Sequence, residues 1–164
     1  MLTIFYVKLF ITIISVFFFL SSSAQRLQVT DLETILFSSA KKADSILKEA
    51  KFTLTDKKPG EGFHNYYYTS YEKKDSNLVL LRSISFMDVY AGADTSRIVL
   101  YRTYNKNDQE EIKKQMQESG YELTKRVAND FYYKKGIYTV VNRITEKTLQ
   151  GNKTVISYEF EMGR

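Results

Sequence analysis

Few arrangements of residues in this chain have the spacing of catalytic chemistry. His64 is the only histidine, and Glu61 and Glu72 are the carboxylates near it in sequence that would make an acid–base pair. An imidazole titrating near neutrality suits such work. A lone histidine beside the glycine-containing stretch Pro59 to Gly62 is more simply a surface residue, so no catalytic residue is assigned. A Ser-His-Asp triad would need the same His64, and no serine stands in a G-x-S-x-G elbow. With no cysteine and one histidine there is no thiolate nucleophile, no disulfide framework and no Cys-based or two-His metal site. No metal or cofactor is expected.

The paired carboxylates have structural explanations. Glu110-Glu111 falls in an opening helical turn, where acids complement the helix dipole. Glu159 and Glu161 alternate with Ile156, Tyr158, Phe160 and Met162, which marks the solvent side of a strand. Gly60-Glu61-Gly62 lacks the Lys-Ser/Thr end of a phosphate loop. Asn152-Lys153-Thr154 matches a glycosylation acceptor, but it sits in the turn of the last hairpin. These signals lean away from an enzyme. The enzymatic alternative is a small carboxylate-dependent hydrolase acting on envelope glycans or peptides.

Residues 1–24 differ from the rest. Lys8 is followed by an apolar run from Leu9 to Leu20, then by the small residues Ser21 to Ala24. That order is the one expected of a cleaved secretory signal, with Ser22 and Ala24 three and one positions before a cut at Gln25. Twelve residues reach about 18 Å as helix, short of a hydrocarbon core of about 30 Å, so an uncleaved membrane anchor is the lesser alternative. The Ala-Gln ending resembles signals of Gram-negative envelope proteins. An exported, periplasmic or secreted location follows as an expectation, with membrane contact only through this segment.

The whole chain has 164 residues, 24 Lys and Arg against 19 Asp and Glu. The leader holds one of those basic residues and none of the acids, so the remainder keeps a small basic surplus spread over short Lys pairs. That reads as a solvated surface, and nucleic acid is not expected as a partner. At 43% hydrophobic and 26% charged, the whole chain has the makeup of an ordinary globular protein, and residues 25–164 are expected to form a single domain.

Within that domain, Thr30 with Glu33 reads as a capping box opening a helix that runs to about Lys51, with Leu32, Ile35, Leu36, Ala43, Ile46 and Leu47 at helical spacing. Strand-like text follows at Phe52–Asp56, Asn65–Tyr71, Leu78–Val89 and Arg97–Tyr104. Asp108 with Glu111 opens a second helix that Gly120 stops, and strand text resumes at 121–127, 131–134, 137–147 and 154–162. Offset by 69, Ala43, Leu47, Phe52, Leu54 and Thr55 face Ile112, Met116, Tyr121, Leu123 and Thr124. Leu78, Leu80 and Ile84 are matched with Tyr138, Val140 and Ile144, and Tyr101 with Tyr158. The expectation is an α+β, two-layer fold: an antiparallel sheet with two helices packed on one face, built from a duplicated helix-plus-three-strand unit over about 30–106 and 107–164. The order of elements is similar to that of duplicated helix-plus-sheet folds such as the beta-lactamase inhibitor proteins. No motif accompanies the likeness, and no residue or activity is carried over.

The strand phase then suggests a binding face. With Val99, Tyr101 and Thr103 facing the helices, Leu100, Arg102 and Tyr104 point away from them, joined by Val79 and Leu81 from the neighbouring strand. An apolar patch holding an arginine and a tyrosine is the makeup of a binding surface, and Arg102 would take a carboxylate or phosphate. His64, Tyr66, Tyr68 and Tyr71 form a secondary candidate cluster, tyrosine rings being able to stack on sugars. Arg82 and Asn142, at matching inward positions, are expected to form a polar contact between halves. The functional expectation is a non-enzymatic binding module for an envelope or secreted protein, or for a small amphipathic or anionic ligand. A self-associating structural protein, and so a homo-oligomer, is the further alternative.

Overall fold

The computed structural model describes residues 26–74, 77–91, 94–149 and 152–164. The expected signal segment and residues 75–76, 92–93 and 150–151 lie outside the described residues. Among the described residues the fold is α+β: one open, eight-stranded antiparallel sheet with three helices. The helices are α1 (Val29–Phe37), α2 (Ala40–Glu49) and α3 (Lys106–Glu118). The strands are β1 (Thr53–Gly60), β2 (Phe63–Lys74), β3 (Asn77–Ala91), β4 (Asp94–Thr103), β5 (Glu122–Val127), β6 (Asp130–Lys135), β7 (Tyr138–Thr148) and β8 (Thr154–Gly163). They lie in the order β1-β2-β3-β4-β8-β7-β6-β5, so two meanders meet at the β4–β8 ladder.

Three helices stand where two were expected. The first begins at Val29, with Asp31 accepting from the Gln28 amide at 2.8 Å, so the Thr30–Glu33 box is not the one used. Glu33 instead receives the Tyr121 hydroxyl at 2.9 Å and the Lys135 ammonium at 2.8 Å. The helix then breaks at Ser38-Ser39 rather than running to Lys51. Both serines are extended, and Ser39 Oγ caps α2 by accepting from the Lys42 amide. Buried Arg97 secures the break. One of its terminal nitrogens donates to the Ile35 carbonyl at 2.6 Å and to the Ser38 carbonyl at 2.7 Å, taking acceptors that a continuous helix would satisfy internally. Its Nε is bound to buried Asp88, and its guanidinium lies 4.5 Å from the Phe86 ring centre.

The second helix-opening signal is also displaced. Asn105 caps α3, accepting from the Asn107 amide at 2.9 Å, which leaves Asp108 inside the first turn and free to face the sheet. Arg82 Nε donates to Asp108 Oδ2 at 2.6 Å, and the Thr103 hydroxyl donates to the same oxygen at 3.3 Å. Arg82 therefore does bridge β3 to a later element, but to Asp108 rather than to Asn142. Asn142 is fully buried, and its amide has no partner among the described residues.

Each half of the chain supplies four strands, not three. The expected Lys57–Gly62 loop is strand: Lys57, Lys58, Pro59 and Gly60 pair with Tyr66, Asn65, His64 and Phe63, leaving only Glu61-Gly62 as a turn with Gly62 at φ 74°. Pro59 is tolerated because β1 is an edge strand. The expected inward phase holds for Val99, Tyr101, Thr103, Tyr158, Phe160 and Met162, all buried, while Ile156 lies outside the core at 42% exposed. The core sits between this sheet face and the helices, where Leu32, Ile35, Ala43, Leu47, Ile112 and Met116 meet Tyr68, Ile84, Phe86, Val99, Tyr101 and Phe160.

Candidate functional site

The face away from the helices is built from the residues alternating with that core. One row crosses seven strands, with Thr53, Thr69, Ser83, Arg102, Glu159, Arg143 and Asp130 as successive directly opposed neighbours. Its right half is an alternating charge ladder. Arg102 Nε and Nη2 each lie 2.7 Å from Glu159 Oε1, Arg143 Nη1 lies 3.8 Å from the other Glu159 oxygen, and Arg143 Nε lies 3.3 Å from both Asp130 oxygens. The next row runs Tyr67, Ser85, Leu100, Glu161, Val141, Tyr132. A depression of about 350 Å³ lies among Tyr67, Thr69, Ser83, Ser85, Leu100 and Arg102.

The five primary candidates are not all gathered here. Leu100 and Arg102 occupy this face, half-buried. Arg102 is already engaged by Glu159, so it is not an open receptor for an external anion. The ladder shifts between β2 and β3: Ser70 opposes Arg82, but Tyr71 opposes Leu80, which leaves Leu81 as the extra residue of a β-bulge. Past the bulge the phase reverses. Leu80 shares the open face with Tyr71, while Val79 opposes Glu72 and falls on the helix side, contrary to expectation. Tyr104 lies just beyond β4, tied by its amide to the Leu81 carbonyl at 3.3 Å.

The secondary cluster is divided between the two faces. Tyr68 is core: its ring is 2% exposed and its hydroxyl donates to Asp44 at 3.1 Å. Burial first, then the Asp44 charge, push that phenol far above its ordinary value. Tyr66 stacks on Phe86 with centroids 4.6 Å apart, on the helix side, whereas Tyr71 is exposed on the opposite face. Neither Tyr66 nor Tyr68 offers a free ring for stacking. His64 has its Nδ1 3.1 Å from the Tyr90 hydroxyl. Eight residue steps along β2, about 26 Å, separate it from Glu72, so those two form no acid–base pair.

A second concavity has no counterpart in the sequence reading. A cleft of about 830 Å³ opens where the first turns of α3, the α2–β1 junction and the β-bulge converge, and Arg26, Lys51, Glu72, Leu81, Arg82 and Glu111 are among its lining residues. These come from five separated stretches of chain, which share no linear spacing. Among the described residues no three His, Cys, Asp or Glu side chains gather as metal ligands would, and no helix is long and apolar enough to cross a membrane. Comparison with family models, curated proteins and solved structures finds no match to this chain.

Proposed function

We propose that this chain is an exported, non-enzymatic binding domain that engages a protein partner through the sheet face opposite its helices. The observation carrying this reading is that the helices pack on one face of an eight-stranded sheet, while the other carries Tyr67, Met87, Ile98, Leu100 and Val141 beside charges that pair among themselves. Charges already paired within one chain lose less on desolvation than unpaired ones, which suits a macromolecular interface. The engagement of Arg102 by Glu159 ranks a small anionic ligand second. Export rests on the composition of residues 1–24. Self-association through sheet edges is disfavoured, because β1 carries Lys57, Lys58 and Pro59, β5 carries Lys125 and Arg126, and both edges are bulged.

The duplication belongs to the same proposal. Both α2 and α3 end in a left-handed residue, Lys51 at φ 64° and Gly120 at φ 85°, with the next amide (Phe52, Tyr121) bound to the carbonyl of Leu47 or Met116. Thr55 and Thr124 then each mark a bulge, and each donates its hydroxyl to the facing strand's carbonyl at 3.1 Å. Carried along the ladders, the row Leu54, Tyr68, Ile84, Tyr101, Phe160, Asn142, Phe131, Arg126 corresponds to Leu123, Tyr133, Val140, Met162, Val99, Phe86, Tyr66, Lys57. This favours Ile84 with Val140 rather than Ile144, and Tyr101 with Met162 rather than Tyr158.

The test is a crosslinked pull-down from an envelope fraction, with the processed chain as bait. A partner held by the native bait, lost by Leu100→Asp and Tyr67→Asp, and kept by the edge control Leu123→Asp supports the face. Equal capture by all baits refutes it.

A further inference from the structure

The 830 Å³ cleft shares no lining residue with the depression at Tyr67 and Leu100, and several irregularities of the fold converge on it. The β-bulge at Leu81 forms part of its wall; bulges concentrate beside functional sites, where they re-aim side chains. Lys51 lines it while held at φ 64°, a conformation that costs a non-glycine residue about 1 kcal/mol. At the corresponding stop of α3 the chain uses Gly120, which adopts it freely. A cationic side chain is thus kept at the mouth of the cleft where glycine would be the more stable choice.

The third irregularity is the ion pair in the wall. Arg82 and Asp108 are both more than nine-tenths buried, and only the Nε of Arg82 is taken by Asp108. Among the described residues the two terminal nitrogens of Arg82 have no acceptor. The second Asp108 oxygen, Oδ1, has no hydrogen bond, with Arg26 Nε 3.8 Å away. A guanidinium fork with open donors is suited to a carboxylate. Glu72 and Glu111, which also line the cleft, are acceptors suited to an ammonium. Arg26, Lys51 and Arg82 balance Glu72, Asp108 and Glu111, so the site offers both signs of charge with no net field to favour a simple ion.

We propose that this cleft is a binding site for a small zwitterion of the amino-acid or short-peptide class, its carboxylate held by Arg82 and Arg26 and its ammonium by Glu72 and Glu111. The volume falls within the range of small-molecule sites and accommodates a dipeptide.

The experiment uses the full chain, expressed so that any leader is processed by the host, and three probes of one body: Ala-Ala, N-acetyl-Ala-Ala and Ala-Ala-amide. Amide NMR shifts are followed up to about 10 mM, which detects millimolar affinity. Ala-Ala is expected to shift Lys51, Leu81, Arg82 and Asn105, and each blocked form to bind about 10-fold more weakly or worse, for loss of one charged contact. Because Arg82→Met removes a buried partner and would compromise folding, the variants are Arg26→Gln and Lys51→Gly. Lys51→Gly is expected to raise the thermal midpoint, and Arg26→Gln to weaken Ala-Ala binding. Shifts elsewhere, no shifts, or equal affinity for a blocked form would overturn the proposal.

Discussion

Replacing Arg97 by Met is expected to remove most of the stability of this fold. The side chain is 8% exposed, and its guanidinium meets Asp88, the carbonyls of Ile35 and Ser38, and the Phe86 ring. Methionine keeps much of the apolar stem and none of the donors. Stranding buried Asp88 without its partner costs about 3–5 kcal/mol. Depriving two helix-end carbonyls of a charged donor adds about 1–2 kcal/mol, since water reaches Ser38 once the guanidinium is gone. The sum, about 4–7 kcal/mol, is comparable to the total stability of a small domain, about 5–15 kcal/mol. Urea unfolding followed by circular dichroism would read it as a fall in midpoint at constant slope. Asp88→Asn, which leaves both carbonyl contacts in place, is expected to cost less than Arg97→Met. Arg97→Met combined with Asp88→Leu should recover the stranded-charge part and leave a deficit of about 1–2 kcal/mol from the helix end. A loss below about 1 kcal/mol for Arg97→Met, or equal losses for the two single variants, would refute the account in which Arg97 terminates the first helix.

Asn142→Leu should stabilise the protein by about 1–2 kcal/mol, because a fully buried amide without partners is replaced by an apolar group of similar size; a lower thermal midpoint would contradict this. Ser39→Ala should cost about 1 kcal/mol through loss of the α2 cap, measured by chemical denaturation. Burial foremost, reinforced by Asp44, Asp108 and Glu33 respectively, raises the phenols of Tyr68, Tyr101 and Tyr121 well above their ordinary range. The unfolded chain releases these protons once pH passes about 10 while the folded chain retains them, so their contribution is intact below that value. It falls above pH 10 by about 1.4 kcal/mol per pH unit for each group. Phenolate absorbance of these three tyrosines should therefore appear together with loss of circular dichroism, and ionisation in a folded protein would disprove the burial argument.

The elements themselves were largely legible. Strand segments and both helical regions follow from hydrophobic periodicity, and Gly120 was readable as a stop because its φ of 85° favours glycine. The misreadings have a common origin. A single helix through Ser38-Ser39 was consistent with the apolar spacing of Leu32 to Leu47, and its break is enforced by Arg97, 59 residues from Ser38. The Lys57–Gly62 segment looked like a loop because it holds Lys, Pro and Gly, whereas its pairing with β2 is satisfied by an edge position that composition does not reveal. Lys51 gave no sign of a left-handed stop, since nothing in its side chain favours one.

The candidate site was legible only in part, for the same reason. Alternation placed Leu100 and Arg102 on the face away from the helices, a local property with period two that holds as long as the ladder is regular. The single extra residue at Leu81 reversed that phase and moved Val79 to the other side, and Arg102 found its carboxylate on β8, 57 residues away. The cleft at Arg82 required five stretches of chain to converge. Periodicity, caps and turn residues act over a few neighbours and are written in the sequence. Register, ion-pair partners and cavities depend on where distant strands come to rest, and only the tertiary structure decided them.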